Sequence, residues 1–268
     1  MSSSNTSSDE KKAQVKEYFG RTAASYVTSP SHRTGSDLQR LLALGEFAKD
    51  QQALDIATGG GHTALAVAPH VAKITVSDLT PQMLKAAEGF LLSQGVDNAE
   101  FHIADAEQLP FGENSFDRVT CRIAPHHFPN VGKAVHEVAR VLKPGGLFLV
   151  IDSCVPEEAE LDLFINKVEK WRDPSHGRSH KVSEWQHFFA EAGLQVETQE
   201  LFRRTHGYDA WTERSQMSDE NRLALAKFML NSSEQTREYF AVTRKADGHL
   251  DHFSGDYFLL KGRKSEQV

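Results

Sequence analysis

Residues 54–64 read LDIATGGGHTA, and this stretch decides the fold class. An apolar run typical of a β-strand, residues 53–57, meets three glycines and continues as helix-like sequence. A strand that turns through glycine into a helix presents backbone N–H groups and the positive end of the helix dipole at one point. Gly59, Gly61 and Ala64 also match the dinucleotide pattern G-x-G-x-x-A. The stretch therefore predicts a nucleotide-like ligand, and a glycine-rich turn without a ligand is the alternative.

Outward from this turn, short apolar segments alternate with helix-like segments. The predicted strands are residues 53–57, 73–77, 99–104, 116–121 and 147–152, with helices predicted at about 63–69, 81–94 and 131–142. Apolar strands that alternate with helices call for a parallel sheet covered on both faces. We therefore predict an α/β fold with a doubly wound, Rossmann-like sheet.

The remaining sequence divides by composition. Residues 1–12 are Ser-rich and polar, which predicts a disordered tail, and residues 13–268 are predicted to form one domain. Within that domain we expect an N-terminal helical cap (13–50), a cofactor-binding half (51–153) and a substrate-side half (154–268). In the last part, the patterns predict helices at 157–171, 183–192 and through most of 211–239, a polar basic loop at 172–181, and strands at 194–204 and 256–261.

The composition limits the function classes. The chain has 268 residues, 39% of them hydrophobic, and a formal charge of −7. A nucleic-acid or anionic-membrane binder would carry a basic surface, so this charge argues against both. Two cysteines, Cys121 and Cys154, make no disulfide framework, and buried thiols are expected. No apolar run approaches a membrane span. A cytoplasmic enzyme without stable membrane insertion is expected, and its oligomeric state is left open.

Three acidic residues are placed at or near the ends of successive predicted strands. These are Asp55, Asp78 and Asp105. Ligands of open α/β sheets bind in the crevice outside the carboxyl ends of the strands. Asp78 follows Asp55 at the distance expected for a carboxylate that reaches ribose hydroxyls, which suits a nicotinamide cofactor equally well. Asp105 favours an adenosyl ligand, because a third carboxylate can accept from the exocyclic adenine amine. Each acid alone could equally be a helix cap or a solvated loop residue.

The segments LDIATGGGHTA, VSDLTPQML, ADAEQLPFGENSFDRVT and HEVARVLKPGG resemble the successive motifs of class I S-adenosylmethionine-dependent methyltransferases. The similarity is greatest to the ubiquinone/menaquinone-biosynthesis C-methyltransferase group and covers about residues 15–152. It implies a seven-stranded sheet, mostly parallel, whose last strand is antiparallel, with N-terminal helices and a helical insertion that form a lid. Residues 256–261 are similar to that last strand.

The same resemblance implies the cofactor site. Gly59 and Gly61 would approach the methionine portion of S-adenosyl-L-methionine, Asp78 the ribose, and Asp105 with Ala106 the adenine. The full set of expected cofactor-binding residues is Asp55, Ala57, Gly59, Gly61, Asp78, Leu79, Met83, Asp105, Ala106 and Arg122. Many family members have glycine where this chain has Ala57, so a slightly different loop shape is expected there.

Two histidines are candidates for acid–base chemistry. His126 and His127 follow the fourth predicted strand, at the mouth of the site. An O, N or C acceptor that loses a proton would benefit from a general base. The alternative is that both are helix-entry or packing residues. A metal site is not expected, because Gly177 and the preceding Pro174 make a helical His176–His180 pair doubtful.

Acceptor binding is expected outside the cofactor half. Candidate substrate residues are Phe19, Tyr26, Trp171, Arg172 and Arg178, whose aromatic and guanidinium groups could stack on or pair with a planar or anionic small molecule. Core packing for the aromatics and a solvated basic loop are the alternatives.

The sequence therefore predicts S-adenosylmethionine-dependent methyl transfer to a small-molecule acceptor, by C- or O-methylation, with a quinone-like or aromatic compound as a candidate acceptor. A nicotinamide-dependent oxidoreductase and a non-catalytic cofactor-binding protein are the competing hypotheses. A nucleic-acid methyltransferase is disfavoured, because the residues CRIAP after the fourth strand lack the Asn/Asp-Pro-Pro-aromatic pattern of those enzymes.

Overall fold

A computed structural model describes the backbone of residues 3–27 and 35–266 and the side chains of 8–21 and 35–266. The strands are β1 Gln52–Ile56, β2 Lys73–Asp78, β3 Ala99–Ile103, β4 Phe116–Arg122, β5 Leu142–Val155, β6 His180–Lys181, β7 Leu194–Gly207 and β8 His252–Lys264. The helices are α1 Ser3–Val27, α2 Ser36–Leu44, α3 His62–Val67, α4 Pro81–Ser93, α5 Val131–Val141, α6 Ala159–Arg172, α7 Val182–Glu191, α8 Tyr208–Glu213, α9 Asp219–Leu230 and α10 Glu234–Tyr239.

Seven strands form one path in the order β3-β2-β1-β4-β5-β8-β7. Strands β1 to β5 pair in parallel, and β8 is antiparallel to both β5 and β7. The predicted doubly wound sheet with an antiparallel last strand is confirmed. The strand order reverses between β1 and β4, which is where open α/β sheets form their ligand crevice.

Helices pack on both faces of the sheet because successive side chains along each strand point to opposite faces. On β5, Phe148 and Val150 pack into one cluster, whereas Leu149 and Ile151 pack into the opposite one. A third apolar cluster, around Phe240 and other aromatic residues, joins α6, α8, α9 and α10 to the ends of β5 and β8. This cluster gives the helices that follow β5 an apolar core separate from the two clusters that cover the faces of the sheet.

The structure differs from the sequence prediction in two segments. Residues 1–12 are predicted to form a disordered tail, whereas in the structure α1 begins at Ser3 and Lys12 is held by ion pairs described below. The basic loop was expected to extend to residue 181, but His180 and Lys181 form the short strand β6 beside the end of β5. In both cases a long-range contact orders a segment whose local sequence is polar.

No helix in the described part of the chain is long and apolar enough to cross a membrane. Cys121 and Cys154 are buried free thiols, as predicted.

Candidate active site

A pocket opens at the carboxyl ends of β1, β2 and β4, where the strand order reverses. Eight of the ten residues predicted to bind the cofactor line it: Ala57, Gly59, Asp78, Leu79, Met83, Asp105, Ala106 and Arg122. The residues that the sequence did not suggest include Lys12, Val15, Thr58, His62, Glu107, Ile123 and Phe128. Of these, only Glu107 carried a usable signal, since it directly follows Asp105 and Ala106.

Asp55 and Gly61 do not line the pocket and instead shape the loop between β1 and α3. Asp55 is buried and accepts hydrogen bonds from the hydroxyls of Thr58 and Thr120, each at 2.6 Å. Gly61 has φ +81°, and a Cβ there would lie 2.5 Å from a methyl carbon of Leu91. Only glycine satisfies both the backbone conformation and the close approach of α4.

Two non-glycine residues that line the pocket have left-handed backbone conformations. Ala57 has φ 51° and Ile123 has φ 55°, at the ends of the adjacent strands β1 and β4. For a β-branched residue such as Ile123 this conformation is a genuine outlier. Ala57 adopts a conformation that glycine adopts more easily, so the Ala57 side chain raises the conformational energy of the loop backbone. Strained residues of this kind cluster at functional sites.

Asp78 is a buried carboxylate of the pocket. Its two oxygens accept hydrogen bonds from the backbone N–H groups of Gly59 (3.1 Å) and Thr80 (2.9 Å), which fix the carboxylate against the glycine loop. Burial raises the pKa of Asp78 to about 6, although the hydrogen bonds oppose this shift. A carboxylate can accept about four hydrogen bonds, so Asp78 can also accept from a ligand hydroxyl.

Asp78, Asp105 and Glu107 form a row of carboxylates in the pocket, and the end of this row away from Asp78 contacts the N-terminal helix. Lys12 Nζ lies 2.7 Å from Asp105 Oδ2 and 2.8 Å from Glu107 Oε2. Lys12, Val15 and Phe19 all line the pocket, and their spacing places them on one face of α1. The helix therefore covers the pocket along its length.

These residues fit the cofactor that the sequence implies. The Asp78 carboxylate could hold two ribose hydroxyls, and the Asp105 side chain, 28% exposed, could accept from the adenine amine. Gly59 has φ +56°, and the position that a Cβ would occupy has no atom within 4 Å, which leaves room for the methionine portion.

His126 and His127 occupy a 3₁₀ turn after β4, and the structure gives them different environments. Asp152, at the end of β5, accepts hydrogen bonds from both the backbone N–H (2.8 Å) and ring Nδ1 (2.7 Å) of His126. This bond assigns the proton to Nδ1 and directs the lone pair of neutral His126 to Nε2. Burial lowers the pKa of His126, but the charge and hydrogen bond of Asp152 outweigh it, so the pKa is raised above its usual value.

His127 is the member of the pair that lines the pocket. Its ring lies edge-on to Phe19 (4.9 Å between centroids) and 4.1 Å from the ring of His126. Burial and the nearby charge of His126 lower the pKa of His127 to about 3, so it is neutral near pH 7. The two histidines therefore cannot have the same role.

The five predicted substrate residues are not brought together. Phe19 lines the pocket, whereas the side chain of Tyr26 lies outside the described residues. Trp171 packs on Phe228 in the third apolar cluster. Arg178 is paired with Asp162 (2.9 Å) and Glu184 (3.2 Å) and does not line the pocket. Arg172 lies near the end of the pocket that His127 lines, since it is close enough to Tyr18 of α1 for its positive charge to act on the pKa of that tyrosine.

Among the described residues, no group of three or more His, Cys, Asp or Glu side chains is arranged to hold a metal ion. His176 contacts Asn166 at 3.2 Å, and His180 lies 3.5 Å from Glu184.

Comparison with known proteins gives a consistent result. Residues 54–150 match the family model described as a methyltransferase domain. The chain is 36% identical over 246 residues to the uncharacterized methyltransferase YcgJ of Bacillus subtilis, covering 92% of this chain and 97% of that protein. It is 31% identical to the ubiquinone/menaquinone biosynthesis C-methyltransferase UbiE of Brucella canis, over 61% of this chain and 63% of the other.

A solved structure is similarly close. The protein BH2331 from Bacillus halodurans, described as a methyltransferase, superimposes with a TM-score of 0.84 at 40% identity. The match covers 86% of this chain and 100% of that one.

Proposed function

Because the chain belongs to the class I S-adenosylmethionine-dependent methyltransferases, we propose that it methylates a small-molecule acceptor and that His126 receives the proton that the acceptor loses. The observation that carries this proposal is the position of the His126–Asp152 pair. The pair lies directly beside His127, which lines the pocket, with 4.1 Å between the centroids of the two histidine rings.

The sulfonium of S-adenosylmethionine supplies an activated methyl group, so the protein needs no covalent nucleophile. Its residues must bind the acceptor in line with the methyl–sulfur bond, and orientation of this kind can contribute about 7–11 kcal/mol. The contribution of α1 supports such a role, since its apolar residues Val15 and Phe19 line the pocket.

Proton removal is assigned to His126 rather than His127 for a chemical reason. The carboxylate of Asp152 stabilises the imidazolium that forms when His126 accepts a proton. His127, with its pKa lowered to about 3, is too weak a base for this step near pH 7. It would instead contact the acceptor through its neutral ring.

Two measurements test the proposed function. Calorimetry should show binding of S-adenosylhomocysteine and no comparable binding of NAD, which separates this activity from that of a nicotinamide-dependent oxidoreductase. The protein should then transfer a deuterated methyl group from labelled S-adenosylmethionine to a small molecule in a cell extract, detected by mass spectrometry. Binding of S-adenosylhomocysteine without any labelled product would instead support a non-catalytic cofactor-binding protein.

A further inference from the structure

Beyond the histidines, the substrate-side half brings together five side chains that we call the arginine–aromatic cluster. Its members are Arg172, Arg204, His206, Trp211 and Tyr257. They come from α6, β7, α8 and β8, and only Arg172 was a candidate from the sequence.

The cluster has a defined geometry around His206. The guanidinium of Arg204 lies over the Tyr257 ring at 4.5 Å, and that of Arg172 lies over the Trp211 ring at 4.9 Å. The centroid of the His206 ring lies 6.1 Å from that of Tyr257 and 6.4 Å from that of Trp211. Each of the two guanidinium groups is therefore stacked on an aromatic side chain that neighbours the His206 ring.

Other contacts hold the arginines in place without cancelling their charge. Arg172 Nε donates to the Trp211 carbonyl at 3.2 Å, whereas its ion pair with Glu169 is long, at 3.8 Å. Arg204 lies 2.7 Å from Asp37 Oδ2, but the same oxygen also accepts from Arg122 Nε at 2.6 Å. One carboxylate is thus shared by two guanidinium groups.

The potential at the centre of the cluster is positive. Burial and the charges of Arg214, Arg172 and Arg204 lower the pKa of His206 to about 3, so this histidine is neutral near pH 7. Burial raises the pKa of Tyr257, which keeps its hydroxyl protonated. We assign that hydroxyl as the donor to His206 Nε2 (3.2 Å), which places the ring proton on Nδ1 as a further donor.

None of the five cluster residues is among those that line the pocket, but two shared neighbours link the cluster to it. Arg122 lines the pocket and shares Asp37 with Arg204. Glu169 lies 3.8 Å from Arg172 and close enough to His126 for the charge of that histidine to act on it. An acceptor that extends from the pocket past His126 would approach the two stacked arginines.

We propose that the acceptor carries a carboxylate or phosphate group, which binds between Arg172 and Arg204 at a distance from the methylated atom. This inference rests on the proposed function and narrows its substrate class. Planar guanidinium groups recognise such oxyanions through paired hydrogen bonds, and the stacked aromatic rings hold them in position. An uncharged quinone ring would gain nothing from them.

The test begins with a cell extract separated on an anion exchanger into a retained and an unretained fraction. Each fraction is incubated with the full-length protein and deuterated S-adenosylmethionine. We expect the labelled product in the retained fraction, and alkaline phosphatase treatment then separates a phosphate ester, whose retention changes, from a carboxylate, whose retention does not. A product found in the unretained fraction overturns the inference, and no product in either fraction refutes the proposed function itself.

Variants of the two arginines then test whether they bind the charged group of the acceptor. Arg172→Gln and Arg204→Gln should each raise the KM for the identified acceptor at least tenfold and leave the affinity for S-adenosylhomocysteine within twofold of wild type. Arg172→Lys, which keeps the charge without the planar fork, should recover part of the loss. Arg178→Gln is the matched control, because Arg178 is paired away from the pocket. Equal KM changes in the Arg172 and Arg178 variants would overturn the assignment.

Discussion

The two ends of the pocket are built by different means. The carboxylate end contains Asp78 and Asp105, which lie at strand ends. Backbone N–H groups fix both carboxylates, and these donors lie either two residues further along the chain or across the glycine loop. At the histidine end, His127 lines the pocket and His126 lies beside it, paired with Asp152 of β5. The arginine–aromatic cluster lies beyond this lining, and its side chains come from α6, β7, α8 and β8, which meet only when the sheet is complete. The first arrangement suits a ligand of constant shape, and the second allows the acceptor to change while the sheet is retained.

The N-terminal helix joins these ends. Lys12 pairs with the carboxylates at one end, and Phe19 contacts His127 at the other, on the same face of α1. A ligand that enters at either end therefore meets the same helix. The proposed cofactor and acceptor sites would therefore be adjacent along α1.

The largest effect is expected at the histidine end. His126→Gln should reduce kcat by about 10²–10⁴-fold, because it removes the proposed base, while affinity for S-adenosylhomocysteine is retained. His127→Gln should raise KM more than it lowers kcat. Steady-state kinetics with the identified acceptor measure both. A fall in cofactor affinity in the His126 variant would mean that the two ends are not separable.

At the carboxylate end, Asp78→Ala should weaken S-adenosylhomocysteine binding by well over tenfold. The substitution removes hydrogen bonds from the ribose hydroxyls to an ionised acceptor, each worth about 1.5–3 kcal/mol. Isothermal titration calorimetry gives the affinity, and circular dichroism checks the fold. Asp97→Ala, at an exposed position, is the control. Unchanged affinity would remove Asp78 from the ribose site.

The pKa of Asp78, raised to about 6, predicts a pH dependence of cofactor binding. The ionised form is the better acceptor, so affinity should be highest above pH 7 and fall as pH decreases through 6, by about tenfold at pH 5. Asp78→Ala should abolish this dependence. Asp55 also has a pKa of about 6 but does not line the pocket, so an Asp55→Asn variant should keep it.

The same contrast explains what could be predicted from the sequence. The strands, Asp78 and Asp105 follow from short-range spacing, since each strand end carries its own residue into the crevice. Arg204 and His206 alternate on β7 and so share one face, which is a readable signal. Their partner Tyr257 depends on the pairing of β7 with β8, and no local pattern specifies that register. Lys12 was missed because its contacts lie more than ninety residues away.

The smallest effect is expected from the strained turn at the carboxylate end. Ala57→Gly removes the Cβ from a residue at φ 51°, a conformation that costs an L-residue about 1–2 kcal/mol. The unfolded chain also gains freedom with glycine, which offsets roughly 0.4–1 kcal/mol of this gain. The melting temperature should therefore rise by about 1–3 °C, with S-adenosylhomocysteine affinity unchanged.

Ala99→Gly provides the control for this prediction. Ala99 begins β3 in ordinary extended backbone, so glycine there should lower the melting temperature. If both variants lower it, the left-handed conformation of Ala57 stores no relievable strain. If Ala57→Gly instead changes the cofactor affinity, the Ala57 methyl group contacts the cofactor directly, and the loop differs from its glycine-containing relatives in binding as well as in backbone energy.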